Sequence, residues 1–388
     1  MKKLILYLTS YLLFLNIYGQ KEDYNWIIGN DSLQLIHFNA SSYTIHAFNT
    51  DTPIRLAVTN ASISDSMGNL LLFSGGAAVY NNQGAIIENG DTINPGIVWE
   101  SWHSTYPGAY GAYNGALFLK SIQNNNQYIL FHLRGDTVGN MPPPITDIMY
   151  TTINTSIENN YMVEKKNISV LSDTISNAGI AACRHGNGRD WWLIAREYES
   201  NCYYIILYTS DTIQVIHKQC IGTDDSFIGA GKLFFSPDGS LFIHHKVNDG
   251  VEFFDFDRCT GLLSNAQLFE TTELIDVIPN EHLVSVSISP NNKYFYTATE
   301  GRIYQFDLNA NDLVGSRILL HNRDTAVVMN YVFGAMQLAP DGSIFISGGE
   351  GFHIHRIANP NEAGLACNLQ IKIPLPKKGS AGLPNFPN

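Results

Sequence analysis

The stretch Phe235-Ser-Pro-Asp-Gly-Ser-Leu-Phe-Ile-His-His245 runs into Gly250-Val-Glu-Phe-Phe-Asp-Phe-Asp257. It reads as the end of a strand, a tight turn, a second strand, a short loop and a third strand. Pro, Asp and Gly supply the turn conformations, and the aromatic and β-branched residues on either side favour extended backbone. The unit recurs as Ile288-Ser-Pro-Asn-Asn-Lys-Tyr-Phe-Tyr-Thr297 before Gly301-Arg-Ile-Tyr-Gln-Phe-Asp307. It recurs again as Leu338-Ala-Pro-Asp-Gly-Ser-Ile-Phe-Ile-Ser347 before Gly351-Phe-His-Ile-His-Arg356. Pro237, Pro290 and Pro340 stand 53 and 50 residues apart. A self-similar unit of that period marks a β-propeller blade of the WD40/YVTN-like kind.

Working backwards, the same turn chemistry appears in His185-Gly-Asn-Gly-Arg-Asp-Trp-Trp-Leu-Ile-Ala195, in Ser121-Ile-Gln-Asn-Asn-Asn-Gln-Tyr-Ile-Leu-Phe-His132 and in Ile63-Ser-Asp-Ser-Met-Gly-Asn-Leu-Leu-Leu-Phe-Ser74. That makes six blades. The two ends complement each other: 25–29, 33–38 and 43–48 read as three strands lacking an inner one, and Gly379-Ser-Ala-Gly-Leu-Pro-Asn-Phe386 reads as an inner strand alone. Ring closure removes exposed sheet edges. The expected fold is therefore all-β, a seven-bladed propeller over 20–388 whose last blade joins N- and C-terminal strands, the strand near Leu383 lying beside Trp26. A six-bladed ring with frayed ends is the alternative.

The chain has 388 residues, of which 45% are apolar and 15% charged, a globular composition. Met1-Lys2-Lys3, the apolar run 4–15 and the small residue Gly19 describe a signal peptide at 1–19, cleaved after Gly19. The run is too short for a membrane span, so no transmembrane segment is expected in the mature chain, and the expected location is secreted or cell envelope. Loss of Lys2 and Lys3 takes the formal charge from −12 to −14. An acidic balance makes nucleic acid a poor partner. A monomer is expected. The five cysteines form no C-x-x-C pair. Cys202 and Cys220 flank a hairpin turn near Ser210-Asp211 at nearly equal distances, which makes them the disulfide candidate; two close free thiols are the alternative.

Trp26-Ile-Ile-Gly-Asn30, Ala61-Ser-Ile-Ser-Asp-Ser-Met-Gly-Asn-Leu70, His185-Gly-Asn-Gly-Arg-Asp-Trp-Trp192, Phe256-Asp-Arg-Cys-Thr-Gly261 and Gly382-Leu-Pro-Asn-Phe386 together resemble a family of secreted Bacteroidota propellers. Such propellers often precede immunoglobulin-like modules and a type IX sorting domain in gliding- and adhesion-associated proteins. This sequence departs from that pattern after Phe386. The resemblance implies a propeller fold and export, and it implies no catalytic activity.

The segment 89–114 interrupts the repeat and holds Trp99, Trp102, His103, Tyr106, Tyr110 and Tyr113. Aromatic faces bind sugar rings and peptide side chains, so Trp99, Trp102, Tyr106 and Tyr110 are the candidate ligand-binding residues. A loop that packs its own aromatics over the central channel is the competing reading. His185, Arg189 and Asp190 fall at a blade corner, and no nucleophile shares their motif. His244 and His245 point to opposite faces of a strand. His353 and His355 face one way, but two ligands are too few for a metal, so neither a metal site nor a cofactor is expected. The inner strands are nearly free of charge, which favours a non-enzymatic scaffold binding a protein or glycan. A lactonase-like or glycan-cleaving propeller hydrolase is the alternative.

Overall fold

The repeat predicts four antiparallel strands per unit, and a computed structural model shows four in five of the sheets and three in the other two. It describes residues 21–137, 144–157, 160–224, 231–276, 282–323 and 332–388. The expected leader with its cleavage after Gly19 lies outside the described residues, as do Pro142 and Pro143. Seven antiparallel sheets follow one another, one per blade, and in blades one to six the first strand is innermost. Blade four is typical: Gly231–Phe235, Leu241–Lys246, Gly250–Asp257 and Leu262–Glu270 lie in chain order. Its deciding turn forms because the N–H of Gly239 bonds the carbonyl of Ser236 at 2.8 Å and Asp238 Oδ1 accepts from the N–H of Ser240 at 2.9 Å. Gly239 takes φ 71°, which a side chain would resist.

Strand alternation sends neighbouring side chains to opposite neighbouring blades, and this makes the core. Trp26 and Ile28 pack toward blade six, against Phe345 and Ile354, whereas Ile27 packs toward blade one, against Leu56 and Phe73. In blade four His244 meets Tyr203 of blade three at 3.0 Å, and His245 meets the Leu283 carbonyl before blade five at 2.8 Å. Seven apolar clusters result, one at each interface round the ring. Each fully buried Leu, Ile or Phe contributes about 1.5–3 kcal/mol, so the ring is held by its blade-to-blade packing.

Blade seven holds Asn25–Asn30, Ser32–Phe38 and Tyr43–Phe48 in one ladder. The C-terminal segment fills the inner position beside it. Leu383 is buried against Trp26, and Phe386 stacks on Trp26 with centroids 5.9 Å apart. Pro384 and Pro387 lack N–H groups, so the segment is held by packing and by bonds to other blades rather than by a ladder. Asn385 donates its N–H to the Asn60 carbonyl at 2.9 Å, and its Nδ2 reaches the carbonyls of Asn114, Ala116 and Ile180 at 3.3, 3.3 and 3.0 Å. Further on, the Asn388 N–H bonds the Ala182 carbonyl, and its side chain reaches the carbonyls of Phe235 and Ser236. Residues 382–388 thus run down the channel axis and fill it.

Candidate functional site

In an up-and-down blade, the first-to-second and third-to-fourth connections share one face of the ring. The remaining connections share the other. The segment 89–114 lies on the second of these faces and contains a helix, Ile97–His103. The sequence signal for it is Trp99 and Trp102, three apart on one helical side. Both tryptophans turn toward the protein and are half-buried. Trp99 Nε1 donates to the Ala77 carbonyl at 3.0 Å, and its ring stacks on His103 at 4.2 Å. Trp102 lies so close to Gly111 that a Cβ there would come within 2.7 Å of the indole. Tyr110 is fully buried; its hydroxyl accepts from the Gly135 N–H at 2.9 Å, and burial pushes its ionisation up to about 12. Of the four aromatic candidates Tyr106 is the most exposed, at 37%; Ile97, at the start of the helix, is 48% exposed. The Arg55 guanidinium lies 4.6 Å from the Tyr106 ring centroid and pairs with Asp31. The aromatic segment therefore clamps a helix to blades one and two, and the channel is filled by the C-terminal segment instead.

The opposite face carries a cavity that sequence reasoning missed. Its volume is about 80 Å³, and it opens where the inner strands of blades one to three end. Glu22 and Asp23 line one side, Lys120 and Arg184 line others, and Phe118, Trp191 and Phe386 complete it. Lys120 and Arg184 are the charged last residues of the otherwise uncharged strands Ala116–Lys120 and Ala181–Arg184. That placement is the signal the sequence offered. Arg184 stacks on Trp191 at 3.8 Å and donates to the Arg189 carbonyl at 2.9 Å. Burial lowers its ionisation somewhat, while the nearby Glu22 charge opposes that shift. Burial, aided by Glu22, pushes the Asp23 carboxyl up to about 7. Glu22 Oε2 is buried without a hydrogen-bond partner. Beyond the channel segment a second space of about 20 Å³ holds Lys232, whose amine bonds the Met336 carbonyl at 2.7 Å and Gln337 Oε1 at 3.0 Å. Burial brings that amine down to about 8.

The other residues singled out by the sequence have structural surroundings. Asp190 is held below the usual carboxylate range, first by Arg189, which bonds it at 2.8 and 3.1 Å. His185 stacks on Trp192 at 5.2 Å, and Asn187 bridges to both His185 and Asp190. His355 is buried against Phe333, and burial takes its ionisation down to about 4. Among the described residues no group of three His, Cys, Asp or Glu side chains is placed to hold a metal ion. Cys202 lies directly across from Cys220 in the outer hairpin of blade three, and the two are joined in a disulfide. Among the described residues no helix is long and apolar enough to cross a membrane.

Seven sheets round an axis define the class: the protein is a seven-bladed β-propeller. No protein-family profile and no curated protein sequence matches the chain. Among solved structures it is similar to a protein from Bacteroides uniformis provisionally described as a 6-phosphogluconolactonase, at 12% identity and a TM-score of 0.51, covering 92% of this chain and 97% of that one. It is also similar to a protein from Lactobacillus plantarum, at 10% identity and a TM-score of 0.50, covering 92% and 98%. At such identity the likeness shows the fold alone.

Proposed function

We propose that this propeller is an exported, non-catalytic recognition scaffold that binds a protein or glycan through the face bearing Tyr106. The observation that carries this reading is the helix Ile97–His103, anchored by its half-buried tryptophans, with the exposed Tyr106 just beyond it lying against Arg55. A rigid aromatic next to a guanidinium offers a large contact area at little entropic cost. Export follows from the resemblance to secreted Bacteroidota propellers, and the Cys202–Cys220 disulfide suits an oxidising compartment.

The test separates the exposed residues from the clamps. Wild type, Tyr106→Ala and Trp99→Ala are applied to glycan arrays and cross-linked to envelope fractions. Tyr106→Ala is expected to lose the bound species with an unchanged melting temperature. Trp99→Ala is expected to lower stability by about 2–4 kcal/mol, since a half-buried indole and its hydrogen bond are removed. Retention of every bound species by Tyr106→Ala overturns the reading. The hydrolase alternative is favoured by one observation, a carboxyl poised near neutrality at the channel mouth, which suits general acid–base work. Lactone turnover by wild type that is lost in Asp23→Asn would establish it. The 80 Å³ cavity argues against it, because substrate pockets are usually about 300 Å³ or larger.

A further inference from the structure

We propose that the cavity at the channel mouth binds a small zwitterion, such as a free α-amino acid with a short side chain. The reason is that the cavity's own charges form no ion pair across it, although the Glu22 charge acts on Arg184 at longer range. Glu22 and Asp23 sit on one wall, and Lys120 and Arg184 on the others. Among the described residues no ion pair joins the two sets: Glu22 Oε2 is buried without a partner, and Lys120 forms no salt bridge. The Arg184 guanidinium makes one hydrogen bond, to the Arg189 carbonyl, and lies 3.8 Å from the centre of the Trp191 ring, which helps to hold it in place.

Partly buried charges without partners are costly, and structures keep them mainly where a ligand completes the set. An ammonium group would answer Glu22 and Asp23, and a carboxylate would answer Lys120 and Arg184, the planar guanidinium being suited to a carboxylate. A single ion would satisfy one wall and leave the other as it was. The volume sets the size. A space of about 80 Å³ holds roughly five to eight water-sized centres, which matches the few non-hydrogen atoms of glycine, alanine or serine. The site is built from the segment before blade seven, the inner strands of blades one to three, Trp191 and the C-terminal segment, so it exists only in the closed ring. It is separate from the Tyr106 face and does not depend on the function assigned to that face.

Isothermal titration calorimetry on the intact protein provides the test, with glycine, alanine and serine as probes and acetate and methylammonium as single-ion controls at equal ionic strength. At least one amino acid is expected to bind about tenfold or more tighter than either control. Lys120→Met and Glu22→Gln are each expected to weaken that binding by about tenfold, and Lys120→Arg to retain it. Thermal unfolding of each variant checks that the ring is intact.

The pH dependence gives an independent readout. Asp23 shares the cavity with Glu22 on its own segment, Lys120 from blade two and Arg184 from blade three, and Glu22 and Asp65 both act on the nearby Tyr128. An ammonium beside Asp23 favours its charged form. Binding therefore releases protons near pH 7 and tightens as pH rises from 6 to 8. Three results would each overturn the proposal: no binding across the panel, acetate or methylammonium binding as tightly as the amino acids, or undiminished binding in both charge variants.

Discussion

Replacing Lys246 with methionine is expected to lower the free energy of unfolding by about 3–5 kcal/mol, one of the largest single losses the protein offers. Lys246 and Glu252 lie on adjacent strands of blade four, each 1% exposed, with Nζ 2.7 Å from Oε2. Thr223 joins them. Its carbonyl and hydroxyl accept from Nζ at 2.7 and 2.8 Å, and its N–H donates to Glu252 Oε1 at 2.9 Å. Methionine keeps the apolar stem but leaves a carboxylate buried without its cation. Glu252→Leu leaves the ammonium in the same position and should cost a similar amount. The Lys246→Met/Glu252→Leu double variant should recover most of the loss, because both desolvation costs disappear together. Urea unfolding of the four proteins at neutral pH makes the comparison. A double variant that loses the sum of the two singles would show that the pair is not coupled. The pair also explains Gly222, whose φ is +82° and where a Cβ would stand 2.5 Å from Glu252 Oε1. The connection out of blade three thus passes directly over the carboxylate, and the pair ties that connection to blade four.

The blades were legible in the sequence because each is a local object. The turns at Pro237, Pro290 and Pro340 are made by residues within a few positions of one another, as the Ser236–Gly239 and Asp238–Ser240 bonds show. Cys202 and Cys220 could be placed opposite each other for the same reason, since a hairpin sets its own register. The helix at Ile97–His103 is hard to see in the sequence because seven residues hold only about two turns of helical periodicity. The three-residue spacing of Trp99 and Trp102 sets both half-buried on one side of the helix, and Tyr110 goes wholly into the core between blades two and three. The charged cavity was harder still. Its walls come from residues 22–23, 62–63, 118–120, 184, 191 and 386–387, and nothing local in the chain relates these positions. They meet only when the ring closes, and the cue of a charged residue ending an apolar inner strand is easily taken for an ordinary strand end.

Asn385→Leu is expected to cost about 2–4 kcal/mol, although leucine fills nearly the same space. The side-chain amide is buried and serves three carbonyls from two blades, Asn114 and Ala116 of blade two and Ile180 at the start of blade three. Removing it leaves buried acceptors at the innermost turn of the ring, where the channel segment excludes water. The neighbouring prolines cannot compensate, since neither has an N–H to offer. Asn385→Asp is expected to be worse at pH 7, because an ionised carboxylate presents only acceptors to the same three oxygens. Its deficit relative to the leucine variant should shrink as pH falls and the acid gains a proton to donate. Urea unfolding at pH 7 and pH 4 reads both effects, and limited proteolysis reports whether the ring opens. Equal stability of wild type and Asn385→Leu would show that the C-terminal segment merely occupies the channel. The expected loss would instead show that a single side-chain amide at its centre ties blades two and three to the segment that closes the ring.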